Sequence, residues 1–194
     1  FHSWSVSAFY SDVQDYLLIE SGVPRMMPMR TATLTRNVDA RTWGGELGGG
    51  LKLSPAWRVD GSLAYVRGDN RTDGTPLAQL PPLEARVALG WQQGRWQAGA
   101  LWRLVAAQNR VDIGKGNIVG QDIGPSGGFG VFSLNGGYQL RERWQLTWGV
   151  DNLFDKAYAE HISRSGANGI AGYTQTLRVN EPGRTLWARL QTTF

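Results

Sequence analysis

Several stretches of the chain alternate apolar and polar residues with a period of two, the spacing of strands whose faces meet different surroundings. Trp57, Val59, Gly61, Leu63 and Tyr65 fall on one side, opposed by Arg58, Asp60, Ser62 and Ala64. Leu83, Ala85, Val87, Leu89 and Trp91 oppose Glu84, Arg86, Ala88, Gly90 and Gln92. Trp96, Ala98, Ala100, Trp102 and Leu104 oppose Gln97, Gly99, Leu101, Arg103 and Val105, and Leu186 to Phe194 repeats the pattern. Extended along the chain, this reading predicts eight strands, near 2–20, 33–53, 57–69, 82–92, 96–110, 129–140, 144–156 and 184–194.

Alternation alone suits two architectures. A soluble sandwich buries the apolar face and wets the polar one. An outer-membrane barrel turns the apolar face to lipid and the polar face to a lumen. The connections favour the barrel. Ser54-Pro55-Ala56, Gln93-Gly94-Arg95 and Arg141-Glu142-Arg143 are tight, whereas polar segments near 21–32, 70–81, 111–128 and 157–183 are long. Short turns at one end and long loops at the other are the asymmetry of bacterial outer-membrane barrels, which the connections of a Greek-key sandwich do not normally show. Each tight turn is followed at once by an indole, Trp57, Trp96 or Trp144. Aligned hairpins put these at one level, as in an aromatic girdle at a lipid boundary.

Composition narrows the function. Cysteine is absent, which removes disulfides and thiolate chemistry, and the two histidines, His2 and His161, leave little for a histidine-rich metal centre. Glycine (26) and tryptophan (9) are abundant in 194 residues, which suits a β-protein with aromatic interfaces. The net charge is +4, but its basic residues are scattered singly, which argues against nucleic acid as a partner. No phosphate-cradling glycine loop precedes a helix, and Ser126 and Ser163 lack an evident base and orienting group, so the chain does not read as an enzyme. It opens on Phe1-His2-Ser3-Trp4 with neither an initiator Met nor a signal peptide, and is expected to be a fragment of a longer protein.

Eight strands can close on themselves around an interior filled by side chains. The polar face carries Glu46, Lys52, Arg58, Asp60, Glu84, Arg86, Arg103 and Asp151 among many glycines. Several strands exceed the roughly 10 residues a spanning strand needs, which favours an arc of a tall, large barrel.

Trp148-Gly149-Val150-Asp151-Asn152-Leu153-Phe154-Asp155-Lys156-Ala157-Tyr158 resembles the N-L-F-D-K-x-Y motif near the end of TonB-dependent outer-membrane receptors. Pro182-Gly183-Arg184 resembles the entry to that family's closing strand, and Phe194 its terminal aromatic. Ala8 to Tyr16, and Asn37-Val38-Asp39-Ala40 with Gly44-Gly45-Glu46, are similar to its strands. Arg36 to Ala40 and Glu160-His161-Ile162-Ser163-Arg164 look most like the copper-receptor branch. The resemblance implies an all-β, antiparallel transmembrane barrel of 22 strands. Residues 1–194 would supply about the last eight, without the N-terminal plug and its TonB box. It further implies a Gram-negative outer-membrane location, contact with outer-membrane lipid, import driven by the TonB complex through the missing plug, and recognition of Phe194 by the barrel-assembly machinery. A siderophore or other chelate receptor, and a self-closed eight-stranded structural barrel, are the alternatives.

The candidate metal ligands are Met26, Met27 and Met29, the chain's three methionines, all in one outward loop. Thioethers are soft donors suited to Cu(I), and methionine otherwise belongs in cores. His161, in another long loop on the same side, is the expected imidazole. Copper would be cargo; no resident cofactor is expected.

Overall fold

A computed structural model describes residues 2–26, 30–165, 170–172, 174 and 177–193. Its long strands are β1 (His2–Pro24), β2 (Thr31–Lys52), β3 (Trp57–Asn70), β5 (Glu84–Gln93), β6 (Trp96–Val105), β8 (Phe129–Arg141), β9 (Trp144–Asp151) and β10 (Thr185–Thr192). Two-residue strands β4 (Thr75–Pro76) and β7 (Lys115–Gly116) lie in the loops. The eight expected strands are all present. They pair antiparallel, each long strand with its neighbours in sequence, in one sheet that runs from β10 to β1.

The register fixes the two faces. Trp57 stands opposite Trp91, Leu63 opposite Ala85, and Leu89 opposite Ala100. On the other face Arg58 stands opposite Gly90, Ser62 opposite Arg86, and Arg86 opposite Arg103. Sandwich packing would bury the apolar face. Instead Leu47, Val87 and Trp102 are each about half exposed (51%, 46% and 50%), so these positions have no second layer of protein against them. The loops fold onto the opposite, polar face, where Glu160 reaches Arg103 and Tyr158 packs beside Val105, Phe129 and Val131. That asymmetry is what lipid outside and a lumen inside require.

Aromatic pairs mark both edges of the apolar band. Trp57 lies 6.4 Å from Trp91 and Trp96 lies 4.5 Å from Tyr138, both beside the tight turns. Trp43 meets Tyr65 edge-on at 5.6 Å toward the loop end. Eight residues separate Trp57 from Tyr65, roughly 27 Å of strand at about 3.4 Å each. With the usual tilt this is about 20 Å of height, close to the band of a transmembrane barrel.

Strand ends differ from the expected ones for local reasons. β9 stops at Asp151, five residues early, because Asn152 turns the chain with φ of 51°. β6 stops at Val105, after which only a bridge between Gln108 and Ser126 continues the pairing. The first hairpin runs further than expected. Val23 still pairs with Ala32 after bulges at 13–16 and 20–23, and Asp15 takes a left-handed φ of 58° in the first. Residues 21–24 and 31–32 of that expected loop are therefore strand. A self-closed eight-stranded barrel needs β1 paired with β10. Among the described residues β10 pairs only with β9, and β1 only with β2 and β7, so the sheet is an open arc. This removes the self-closed alternative.

Candidate functional site

The polar wall is built by phase. Lys52, Arg58 and Asp60 follow one another on it near the tight turns, and Arg58 Nε donates to both Asp60 carboxylate oxygens at 2.9 and 2.7 Å. Gly50 lies beneath this pair, where a Cβ would collide with it. Toward the loop end, Glu84 takes Arg86 at 2.5 Å and Arg103 at 2.7 Å. Arg103 in turn holds Glu160 of the β9–β10 loop and lies 5.3 Å from the centre of the Phe129 ring. The last loop is thus tied to the wall by one arginine shared between two carboxylates.

Three long loops meet above this wall. Asp122, 2% exposed in the β6–β8 loop, sits at their junction. It accepts from the Gln79 N–H at 2.9 Å, the Gln79 side-chain amide at 3.2 Å and the Asp112 N–H at 2.9 Å. His161, 4% exposed in the β9–β10 loop, places Nε2 3.7 Å from the same carboxylate and Nδ1 2.9 Å from Ser126 Oγ. Burial pushes the Asp122 carboxyl up, but the His161 ring edge and the converging N–H donors hold it below the ordinary range. Arg178 completes the seam by donating to the carbonyls of Gly124, Pro125 and His161.

The β6–β8 loop then crosses to the far edge of the sheet. β7 pairs with Ile19 and Glu20 of β1, and Ser21 binds Gln121 at 2.5 Å. In strand order this bridges from β6 past β5, β3 and β2, a chord of about 19 Å at roughly 4.8 Å per strand. Lys115 lies between Asp112 at 3.0 Å and Asp73 at 3.5 Å. Burial works against its charge, yet the two carboxylates keep its pKa above the ordinary value. Asp73 also takes Arg36 of β2 and Asn70, and Arg36 above all holds its carboxyl low.

The N-L-F-D-K-x-Y segment fastens the ends of the last loop. Asn152 accepts the Lys156 N–H at 2.8 Å and donates to the Lys156 carbonyl at 2.9 Å. Asp155 accepts the Arg184 N–H at 2.8 Å, and the Glu181 N–H donates to the Tyr158 carbonyl at 2.9 Å. Tyr158 stacks 4.4 Å from Phe129. The motif closes a loop onto a strand.

Of the expected metal ligands, Met26 and His161 lie among the described residues. Met26 lies fully exposed at the end of the first hairpin, while His161 is buried in the loop junction. Met27 and Met29 lie outside the described residues, as does Phe194. Among the described residues no three His, Asp or Glu side chains cluster as a metal site. Sequence reasoning did not foresee Asp122, Gln79 or Arg178, which stand far from His161 along the chain and share no local spacing with it. Nor did it pair Ser126 with an imidazole.

The profile of the family described as "TonB dependent receptor-like, beta-barrel" matches residues 1–153. The chain belongs to the TonB-dependent receptor β-barrel family. Its place is the outer membrane of Gram-negative bacteria, and the open sheet is an arc of that family's larger barrel. The solved copper transporter OprC is 46% identical over the whole chain, with a TM-score of 0.92, and the chain covers 30% of it. The ferric enterobactin receptor of Pseudomonas aeruginosa is 28% identical over 148 residues, covering 74% of this chain and 20% of the receptor. The ferrienterobactin receptor of Escherichia coli is 27% identical over 143 residues, 69% of this chain and 19% of the receptor. The chain thus spans about a fifth of the length of the curated relatives it matches.

Proposed function

We propose that the chain forms the C-terminal strands of a TonB-dependent receptor that imports copper. In this reading residues 1–194 supply part of the lumen wall and the outward loops, while the plug, with its TonB box, belongs to the rest of the protein. The observation that carries the copper reading is the 46% identity to the copper transporter OprC across every strand and loop, against 27–28% over shorter spans for the ferric enterobactin receptors. Met26, Met27 and Met29 act as soft thioether donors at the mouth. His161 contributes by holding the loops that surround it. Phe194 serves the barrel-assembly machinery.

The chain has no catalytic role in this reading. Ser126, His161 and Asp122 share one junction, but they are arranged as a clamp. The carboxylate oxygens are already taken by N–H groups of Gln79 and Asp112, and the His161 ring is closed off from substrate. Acyl transfer needs an accessible base beside an accessible nucleophile.

The test uses the full-length receptor in an outer membrane lacking its own copper receptor. Copper uptake and Cu(I) titration are measured with and without M26A, M27A and M29A together. Uptake that depends on the receptor and weakens with the triple variant supports the reading. Uptake of a ferric catecholate in place of copper transfers the assignment to a siderophore receptor.

A further inference from the structure

We propose that the hairpin Lys115–Gln121 of the β6–β8 loop ends the pairing of β1 on its outer edge. There it docks, through Ile118 and Val119, on the outward loop that feeds the strand before β1 in the intact receptor. On one side β1 pairs with β2 from His2 to Pro24. On its other side, among the described residues, only β7 pairs with it, at Ile19 and Glu20, and the Ser21 N–H donates to the Gly114 carbonyl at 2.8 Å just beyond. Each backbone group on a strand edge takes one ladder partner. The strand that lies beside β1 in the larger barrel therefore pairs with it below Ile19. His2 stands at the tight-turn end of the sheet, opposite Leu51. An antiparallel neighbour thus comes down from an outward loop, and that loop arrives at the height of the hairpin.

The hairpin is built to hold its shape. Gly114 enters it with a left-handed φ of 78°, and Gly116 pairs with Gln121. Asn117 closes the tip: its N–H donates to the Gly120 carbonyl at 2.9 Å, and its side-chain oxygen accepts the Val119 N–H at 2.8 Å. Lys115 ties the base to Asp73 of the β3–β5 loop at 3.5 Å, and Arg164 of the last loop donates to the Val119 carbonyl at 2.9 Å. Polar groups make all of these bonds. What they display is apolar, with Ile118 90% exposed and Val119 65%. Gly, Asn, Asp and Ser dominate tight turns for conformational reasons, so two β-branched side chains at this tip need another reason to be there.

Height and position select the occupant. Tyr10, opposite the belt's Trp43, lies nine residues below Ile19 along β1. At about 3.4 Å per residue and the usual tilt, the hairpin stands about 20 Å beyond the belt, clear of acyl chains. The surface beside it belongs to the same receptor, because the barrel continues past β1 and this chain covers 30% of the related copper transporter. A rigid tip loses little freedom on docking, which suits it to an apolar patch on that neighbouring loop. The proposal rests on the reading of residues 1–194 as the C-terminal strands, which puts the missing wall before Phe1.

The experiment uses the full-length receptor in outer membranes, with p-benzoylphenylalanine in place of Ile118 or, separately, of Leu53 at the opposite rim. After irradiation the crosslinked peptides are mapped by mass spectrometry. The probe at 118 is expected to join one outward loop from the part of the receptor before Phe1, and the probe at 53 is expected not to reach it. I118D/V119D is expected to raise hydrogen exchange of that loop and of 115–121 by about tenfold or more, since two buried aliphatic side chains are lost. I118L/V119I keeps the apolar surface and is expected to exchange like the unaltered receptor. The heat-resistant folded band on gels is expected to survive in both, which separates undocking from misfolding. No crosslink at 118, crosslinks confined to residues 1–194 or to other proteins, or unchanged exchange in I118D/V119D overturns the proposal. Crosslinks to a segment after Phe194 overturn it together with the C-terminal placement. Copper uptake is recorded in parallel, so a failure of the cargo assignment is seen separately.

Discussion

Replacing Asp122 by alanine removes the acceptor on which the three loops converge. The Gln79 N–H, the Gln79 side-chain amide and the Asp112 N–H all lose their partner in a site 2% exposed to solvent. An unsatisfied buried donor costs about 1–3 kcal/mol, and water entering the space left by the carboxylate recovers part of that. Taking the low end for each of three donors gives about 3 kcal/mol, spent on loop opening because the strands below keep their own hydrogen bonds. At about 1.4 kcal/mol per factor of ten, opening becomes more populated by about two orders of magnitude. Hydrogen exchange of the intact receptor in a lipid nanodisc reads this directly. Amides of 106–124 and 77–83 should lose about a hundredfold protection, while those of β5 and β6 stay as they were. Protection within threefold of the unaltered receptor in those loops would refute the clamp. Uniform loss over strands and loops would instead mean that the carboxylate supports the whole sheet.

Acid should loosen the same junction, and the sign follows from the carboxyls. Asp122 and Asp73 lie below the ordinary aspartate value of 3.8 with the loops docked. Their contribution is therefore complete above 3.8 and is lost as pH falls through the lower docked values. Loop exchange, or the distance between spin labels on 106–128 and β1, should hold constant from pH 7 to 5 and change only below about 3.8. A transition near pH 6 would implicate another group. Gly44→Val tests the sheet itself. A Cβ at Gly44 runs into the backbone carbonyl of Tyr65 and lies 2.9 Å from the Phe9 ring, and a carbonyl in a ladder cannot swing aside. The heat-resistant folded band of the receptor on gels should shift to lower temperature by an amount matching about 1–3 kcal/mol. Gly74→Ala, in an open turn where only a φ of 70° is affected, should cost about 1 kcal/mol.

The strands were legible because a membrane imposes one rule along their whole length. Each residue faces lipid or lumen, and the side alternates without interruption from Trp57 to Tyr65 and from Glu84 to Gln93. Strand ends obey no such rule. Asn152 ends β9 through its backbone angle and its two bonds to Lys156, and both depend on the loop returning to meet it. The bulge at Asp15 shifts the phase of β1, so Leu18 turns inward and is buried while Leu17 is exposed. The loop junction was illegible for a different reason. Asp122, Gln79, Ser126 and His161 come from three loops, and nothing in one loop's sequence specifies its partners in another.

The chemistry of the clamp is polar rather than apolar, and that sets what parting the loops would expose. An interface held by apolar area exposes that area when it opens, and the exposed patch then draws it shut or draws in other chains. The seams here are carboxylates, guanidiniums and amides, which water takes over when they separate. The apolar patch beside them, Val105, Phe129 and Val131, belongs to β6 and β8, and only Tyr158 comes from a loop. Opening therefore leaves most of the greasy surface in place on the wall. The ties are also unequal in reach. Arg103 fastens the last loop to the wall beneath it, whereas β7 and Ser21 fasten the β6–β8 loop to the opposite edge of the arc. Releasing the second set alone still leaves the β6–β8 loop held at Asp122 by Gln79 and at the Gly124 and Pro125 carbonyls by Arg178 of the last loop. The β6–β8 loop is for that reason the element that joins the far edge of the arc to the junction at Asp122.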